Sequence, residues 1–119
     1  MSTITFAPGA RTSVVKGHLS PGGRFPYYVA AKAGQTMTVT AASGAGTVTF
    51  QVFGPDAVLA RARDGMALVH GRTLPDAGPT DDARAWIGAI PRDGNYLILV
   101  GMAANASAAG PYTLEVALQ

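Results

Sequence analysis

The stretch "AAKAGQTMTVTA", residues 30–41, decides how the chain is read. Met37, Val39 and Ala41 alternate with Thr36, Thr38 and Thr40. A period of two sends successive side chains to opposite faces of a strand, so one face is apolar and the other is threonine. Threonine is β-branched and polar, which suits an extended strand whose outer face meets water. Just before the strand, Ala33-Gly34-Gln35 predicts a tight turn with glycine at its permissive position. A half-buried strand introduced by a turn is the unit of an antiparallel sheet with one wet face.

The same alternation recurs along the chain. It predicts strands over "ITF" at 4–6, "SVVKGHL" at 13–19, "YYVAAKA" at 27–33 and "TVTFQVF" at 47–53, then "AWIGAI" at 85–90, "NYLILVGM" at 95–102 and "YTLEVAL" at 112–118. Pro8-Gly9, Ser20-Pro21-Gly22-Gly23, Gly54-Pro55-Asp56, Pro91-Arg92-Asp93-Gly94 and Gly110-Pro111 punctuate them as turns. "AVLARARDGMALVHG" at 57–71 reads as a hairpin turning near Asp64-Gly65, with a short helix as the alternative. "GRTLPDAGPTDDAR" at 71–84 holds two prolines and three aspartates and reads as an exposed loop. The fold expected is an all-β antiparallel sandwich of about eight strands, jelly-roll-like or Greek-key in order. One domain spans 1–119, with an insertion or long loop at about 56–84.

Composition supports one modest core. The chain has 119 residues, 48% of them apolar. Charged residues are 13% and the net charge is +2. The basic residues are scattered, with no run interleaved with aromatics, so nucleic acid is not an expected partner. There is no cysteine, which excludes disulfides, thiol catalysis and thiolate metal sites. "MSTITFAPGA" has no charged leader followed by an apolar run and does not read as a signal peptide. The apolar run at "YLILVGMAA" is too short and too Gly-interrupted to span a bilayer.

The chemistry-bearing residues are few. His18 shares an expected polar strand face with Lys16, whereas His70 stands beside the long loop and is the better binding candidate. Serines are present, but no G-x-S-x-G elbow marks an activated nucleophile, and the chain is not expected to be an enzyme. Asp76, Asp81 and Asp82 do not have the spacing of a calcium loop and read as a solvated loop. No metal or cofactor is expected. "GAGTV" at 44–48 lies between strands, so it reads as a hairpin turn instead of a helix-capped phosphate cradle. Trp86, Phe25, Tyr27 and Tyr28 are the aromatics from which a sugar-stacking platform would be built, although Trp86 is expected in the core.

The order "AAKAGQTMTVTA … FQVFGPD … GAIPRDGNYLILV … GPYTLEVAL" resembles the bacterial pre-peptidase C-terminal-like β-sandwich, nearest to the periplasmic inhibitors of g-type (goose-type) lysozyme. The likeness covers roughly residues 3–55 and 85–118, and its motifs mark fold more than function. It implies a non-enzymatic binding module of an exported bacterial protein, periplasmic or secreted, that contacts a lysozyme-type protein through charged and aromatic loop groups. In this chain "AANASAAG" at 103–110 has no charge, so weak or absent inhibition of g-type lysozyme is expected, with Arg24, Phe25 or the 71–84 loop as the substitute contact if inhibition is found. "SPGGRF" offers Arg24 and Phe25. The binding candidates are therefore Arg24, Phe25, His70, Arg72, Asp81 and Asp82. A carbohydrate- or cell-surface-binding accessory domain and a structural or assembly subunit are the alternatives.

One strand breaks the pattern. If Tyr96, Ile98, Val100 and Met102 face inward, Leu97 and Leu99 face outward. Two leucines on a wet face predict a covered surface, under either the 57–71 insertion or a second copy of the chain. Leu97 and Leu99 are accordingly candidates for a homodimer interface.

Overall fold

The computed structural model describes residues 2–19, 24–43, 48–61, 67–78, 83–102 and 110–119. In chain order the strands are β1 (Ser2–Ile4), β2 (Thr12–Leu19), β3 (Phe25–Ala31), β4 (Thr36–Ser43) and β5 (Val48–Phe53). They continue as β6 (Val58–Arg61), β7 (Ala67–His70), β8 (Ala85–Ala89), β9 (Gly94–Met102) and β10 (Gly110–Leu118). There is no helix among the described residues, hence none able to cross a membrane. One sheet has the order β1-β3-β9-β5 and the other β2-β10-β4-β8, with β6 and β7 forming a separate hairpin. From β1 to β5, and again from β8 to β10, each successive strand crosses to the opposite sheet. This alternation is the jelly-roll order.

The first strand departs from its expected place. β1 ends at Ile4 and runs parallel to β3, whereas the other pairings are antiparallel. Phe6 lies beyond it and packs partly on the core. The segment expected at 57–71 is the hairpin β6–β7, in register from Val58–His70 to Arg61–Ala67.

The core lies between the two sheets. Met37 and Val39 are fully buried, as the alternation in residues 30–41 requires, and Thr40 is exposed. Phe50 and Val52 of β5, Tyr96, Ile98 and Val100 of β9, and Leu114 and Val116 of β10 fill the same layer. Burying each large apolar side chain contributes about 1.5–3 kcal/mol. Trp86 is buried here as expected, and its indole N–H donates to the Pro75 carbonyl at 2.8 Å.

The second face of β9 is also dry. Leu97 is fully buried and Leu99 is 3% exposed. They form a small cluster with Phe53, against which Tyr28, Ala57 and Val69 pack. Ala57 and Val69 belong to the insertion, so the chain covers its own leucine face. This corrects Leu97 and Leu99 as interface candidates: a second copy has no access to side chains already enclosed.

Residues 71–84 are not simply an exposed loop. Gly54 N–H donates to Arg72 O, Leu74 N–H to Val52 O, Val52 N–H to Ala77 O and Phe50 N–H to Ala83 O, at 2.9–3.1 Å. Ala77 is fully buried and Ala83 is 8% exposed, while Leu74 packs on the core. The physical reason is the edge of β5. Its outward amides and carbonyls need partners, and this segment provides them while crossing to β8. Proline and aspartate do not forbid such a path, because it bonds at isolated points: Phe53 to Thr73 and Phe50 to Ala83.

The Ala33-Gly34-Gln35 turn is built as the sequence indicates. Gln35 N–H donates to Lys32 O at 3.1 Å, and Gly34 has φ 89°. The second motif, Ile90-Pro91-Arg92-Asp93-Gly94-Asn95-Tyr96, docks onto it. Asp93 Oδ1 accepts from Ala33 N–H at 2.8 Å, and Ile90 O accepts from Gly34 N–H at 3.0 Å.

Candidate functional site

The topology brings Leu19, Phe25, Ser43, Val48, Met102 and Gly110 to one end of the sandwich. Arg24 is exposed there, at the start of β3. Phe25 is 36% exposed, and its ring lies 5.0 Å from that of Tyr27 at a 47° tilt. Both side chains point to the inner face, because β3 alternates. At the mouth of the sandwich, however, that face opens instead of meeting the opposite sheet.

Beneath Phe25, the Tyr27 and Tyr112 hydroxyls meet at 2.6 Å, joining β3 to β10 across the interior. Gly17 lies opposite Tyr112 in the β2–β10 register. A Cβ on Gly17 would come 2.4 Å from the Tyr112 hydroxyl oxygen, so the absence of a side chain there makes room for the phenol. Burial raises the Tyr112 pKa above the usual phenol range, and the hydrogen bond to Tyr27 raises it further. The phenol therefore stays neutral at physiological pH. Between the edges of β1 and β2 a slot of about 510 Å³ opens beside this pair, lined among others by Val15, Lys16, His18 and Phe25. The arrangement offers an exposed aromatic ring, the flanking Lys16 and Arg24, and the paired Tyr27 and Tyr112 hydroxyls. Among the described residues it has binding groups but no paired nucleophile and base.

His70 and Arg72 do not join this end. His70 pairs with Val58 at the base of the insertion hairpin. Arg72 is exposed near the opposite end of the sandwich, lining a hollow of about 510 Å³ with Asp56, Arg92 and Tyr96. There Arg92 forms an ion pair with Asp56, and the Tyr96 hydroxyl donates to the Arg92 carbonyl at 2.7 Å. Asp81 and Asp82 lie outside the described residues. Asp76 is exposed in the turn after Pro75 with φ 65°. Among the described residues no three metal-ligating side chains cluster. The aromatic platform also fails to assemble, because Tyr27 and Trp86 are buried and Tyr28 faces the second cluster.

Sequence reading missed Tyr112, which anchors the slot. Its signal was faint: a tyrosine after Gly110-Pro111 and a glycine inside the 13–19 strand, 95 positions apart in the chain.

The whole architecture matches a solved protein closely. The periplasmic inhibitor of g-type lysozyme from Aeromonas hydrophila superposes with a TM-score of 0.70 and 31% identity, covering 99% of this chain and 96% of that one. The chain belongs to the family of periplasmic inhibitors of g-type lysozyme. Two further family structures share the fold at 17% identity. The Salmonella Typhimurium inhibitor gives a TM-score of 0.67 over 98% of this chain and 96% of its own, and a mutant of the Escherichia coli inhibitor gives 0.68 over 99% and 96%. No family model and no curated protein matches the chain at a significant level. Membership in a periplasmic inhibitor family is consistent with a periplasmic or secreted location.

Proposed function

We propose that the chain is a non-enzymatic protein-binding module that engages a lysozyme-type partner from the sandwich end carrying Arg24 and Phe25. The exposed Phe25 ring carries this reading. It projects from a rigid base, since Tyr27 below it is fixed by the buried bond to Tyr112. An aromatic group held in place by packing loses little conformational freedom on binding, and an adjacent arginine supplies orientation by charge. The inhibitors named above act on g-type lysozyme, and that is the partner to try first. Arg24 and Phe25 replace the uncharged 103–110 loop as the contact. The wider kinship to pre-peptidase C-terminal-like domains rests on the Ala33-Gly34-Gln35 and Pro91–Tyr96 motifs.

Calorimetric titration with a g-type lysozyme tests the proposal. Saturable binding by the wild type, weakened at least tenfold in Arg24→Ala and Phe25→Ala, is the expected result. No binding by the wild type, or unchanged binding by both variants, overturns it. The glycan alternative required an aromatic platform, and burial of Trp86 removes its largest member.

A further inference from the structure

Four edges bound the two sheets, and three are protected. β1 is only three residues long. The β5 edge is bonded by Arg72, Leu74, Ala77 and Ala83. β2 presents Lys16 and His18 on exposed positions, next to Arg11. Short length, covering chain and edge charges all discourage strand-to-strand association. β8, "AWIGA", has none of these: it has five residues, no charge and no proline.

The hydrogen bonds fix which β8 groups are free. Ile90 N–H donates to Gln35 O and Ala41 N–H donates to Arg84 O. In an antiparallel ladder these bonds recur every second residue, so Trp86 and Gly88 turn their backbone groups toward β4. Ala85, Ile87 and Ala89 turn theirs away, toward the open edge. No strand among the described residues pairs on that side. The Ile87 side chain is 68% exposed, the highest among the large apolar side chains of the described residues.

We propose that β8 pairs antiparallel with β8 of a second copy about a two-fold axis at Ile87, joining two four-stranded sheets into one of eight. The occupant follows from self-complementarity. The two-fold sets Ile87 against Ile87 and Ala85 against Ala89, while each chain's buried Trp86 indole stays over its own Gly88 on the inner face. The backbone groups that point outward at Ile87 then bond reciprocally. No like charges oppose one another: Arg84 falls opposite Ile90, and the two Arg84 residues stand about 20 Å apart along the strands. A net charge of +2 adds little repulsion. On the outer face the row Thr12, Ala117, Thr38 and Ile87 continues across the axis into its own mirror order. The contact leaves the Arg24–Phe25 end free, so it is independent of the lysozyme proposal.

Analytical ultracentrifugation over a concentration series reads the association. The expected result is a shift toward twice the 12.1 kDa chain mass. Ile87→Lys sets two ammonium groups face to face at the axis and returns the protein to monomer with an unchanged melting temperature. Because the chain has no cysteine, a Val14→Cys spin label reports geometry. Seven strand spacings separate the two β2 strands, and Val14 lies on the Ala85 row, two residues from the axis in each copy, giving about 36 Å between label sites before the linker arms are added. A monomer at every concentration, a dimer indifferent to Ile87→Lys, or Val14 labels in near contact overturns the proposal.

Discussion

Tyr27 and Tyr112, 85 positions apart, join hydroxyl to hydroxyl at 2.6 Å inside the sandwich. Tyr112→Phe leaves the buried Tyr27 hydroxyl without that partner, and we expect a loss of about 1–3 kcal/mol. The pH dependence follows from the raised folded pKa of Tyr112. Below the ordinary phenol pKa of about 10 both states are neutral and the contribution is complete. Above it the unfolded chain ionises first, so stability falls as pH rises. Wild-type melting temperature should decline in alkaline buffer, with a shallower decline in Tyr112→Phe.

Gly34 and Thr38 provide a matched pair. Gly34 has φ 89°, and a Cβ there would meet nothing within 4 Å, so any cost of substitution is backbone strain alone. Gly34→Val should lose about 1–3 kcal/mol. Thr38→Val keeps a β-branched residue on the half-buried outer face and should change stability by less than about 0.5 kcal/mol. Equal urea midpoints would show that the turn does not require glycine.

The indole of Trp86 lies over Gly88. A Cβ on Gly88 would come 2.3 Å from the Trp86 ring. Gly88→Ala therefore forces the ring off its place and off the Pro75 carbonyl, a cost of about 1–3 kcal/mol. Trp86 is the only tryptophan, so its fluorescence reads the change directly. A red-shifted emission is expected, and an unshifted spectrum with wild-type stability contradicts the packing.

Leu97 and Leu99 test the cover supplied by the insertion. Leu97→Lys with Leu99→Lys removes two buried side chains and should cost at least about 3 kcal/mol. Denaturant unfolding measures it. Wild-type stability in the double variant would mean that the insertion leaves this face open to water.

Much of the fold was legible because strand periodicity is local. Alternation placed Met37 and Val39 inside, and the same rule exposed Leu97 and Leu99 as residues needing a cover. The Gly34 turn was legible because positive φ narrows the choice of residue. Residues 71–84 were not, because prolines and aspartates mark a path without regular secondary structure and say nothing of what the path lies against. Its bonds to β5 exist only once that edge is built.

The site divided in the same way. Arg24 and Phe25 stood out as a charge and an aromatic ring after a turn, but their separation from His70 and Arg72 depends on which strand ends share a side of the sandwich. The slot under Phe25 needs Tyr112 to come back across from the last strand and Gly17 to leave space for it. The sequence by itself determined the period of each strand and the face of each residue, since those follow from neighbouring backbone dihedrals. The tertiary structure alone decided which faces meet, which edges close and which stay open, because those contacts join residues that the chain keeps far apart.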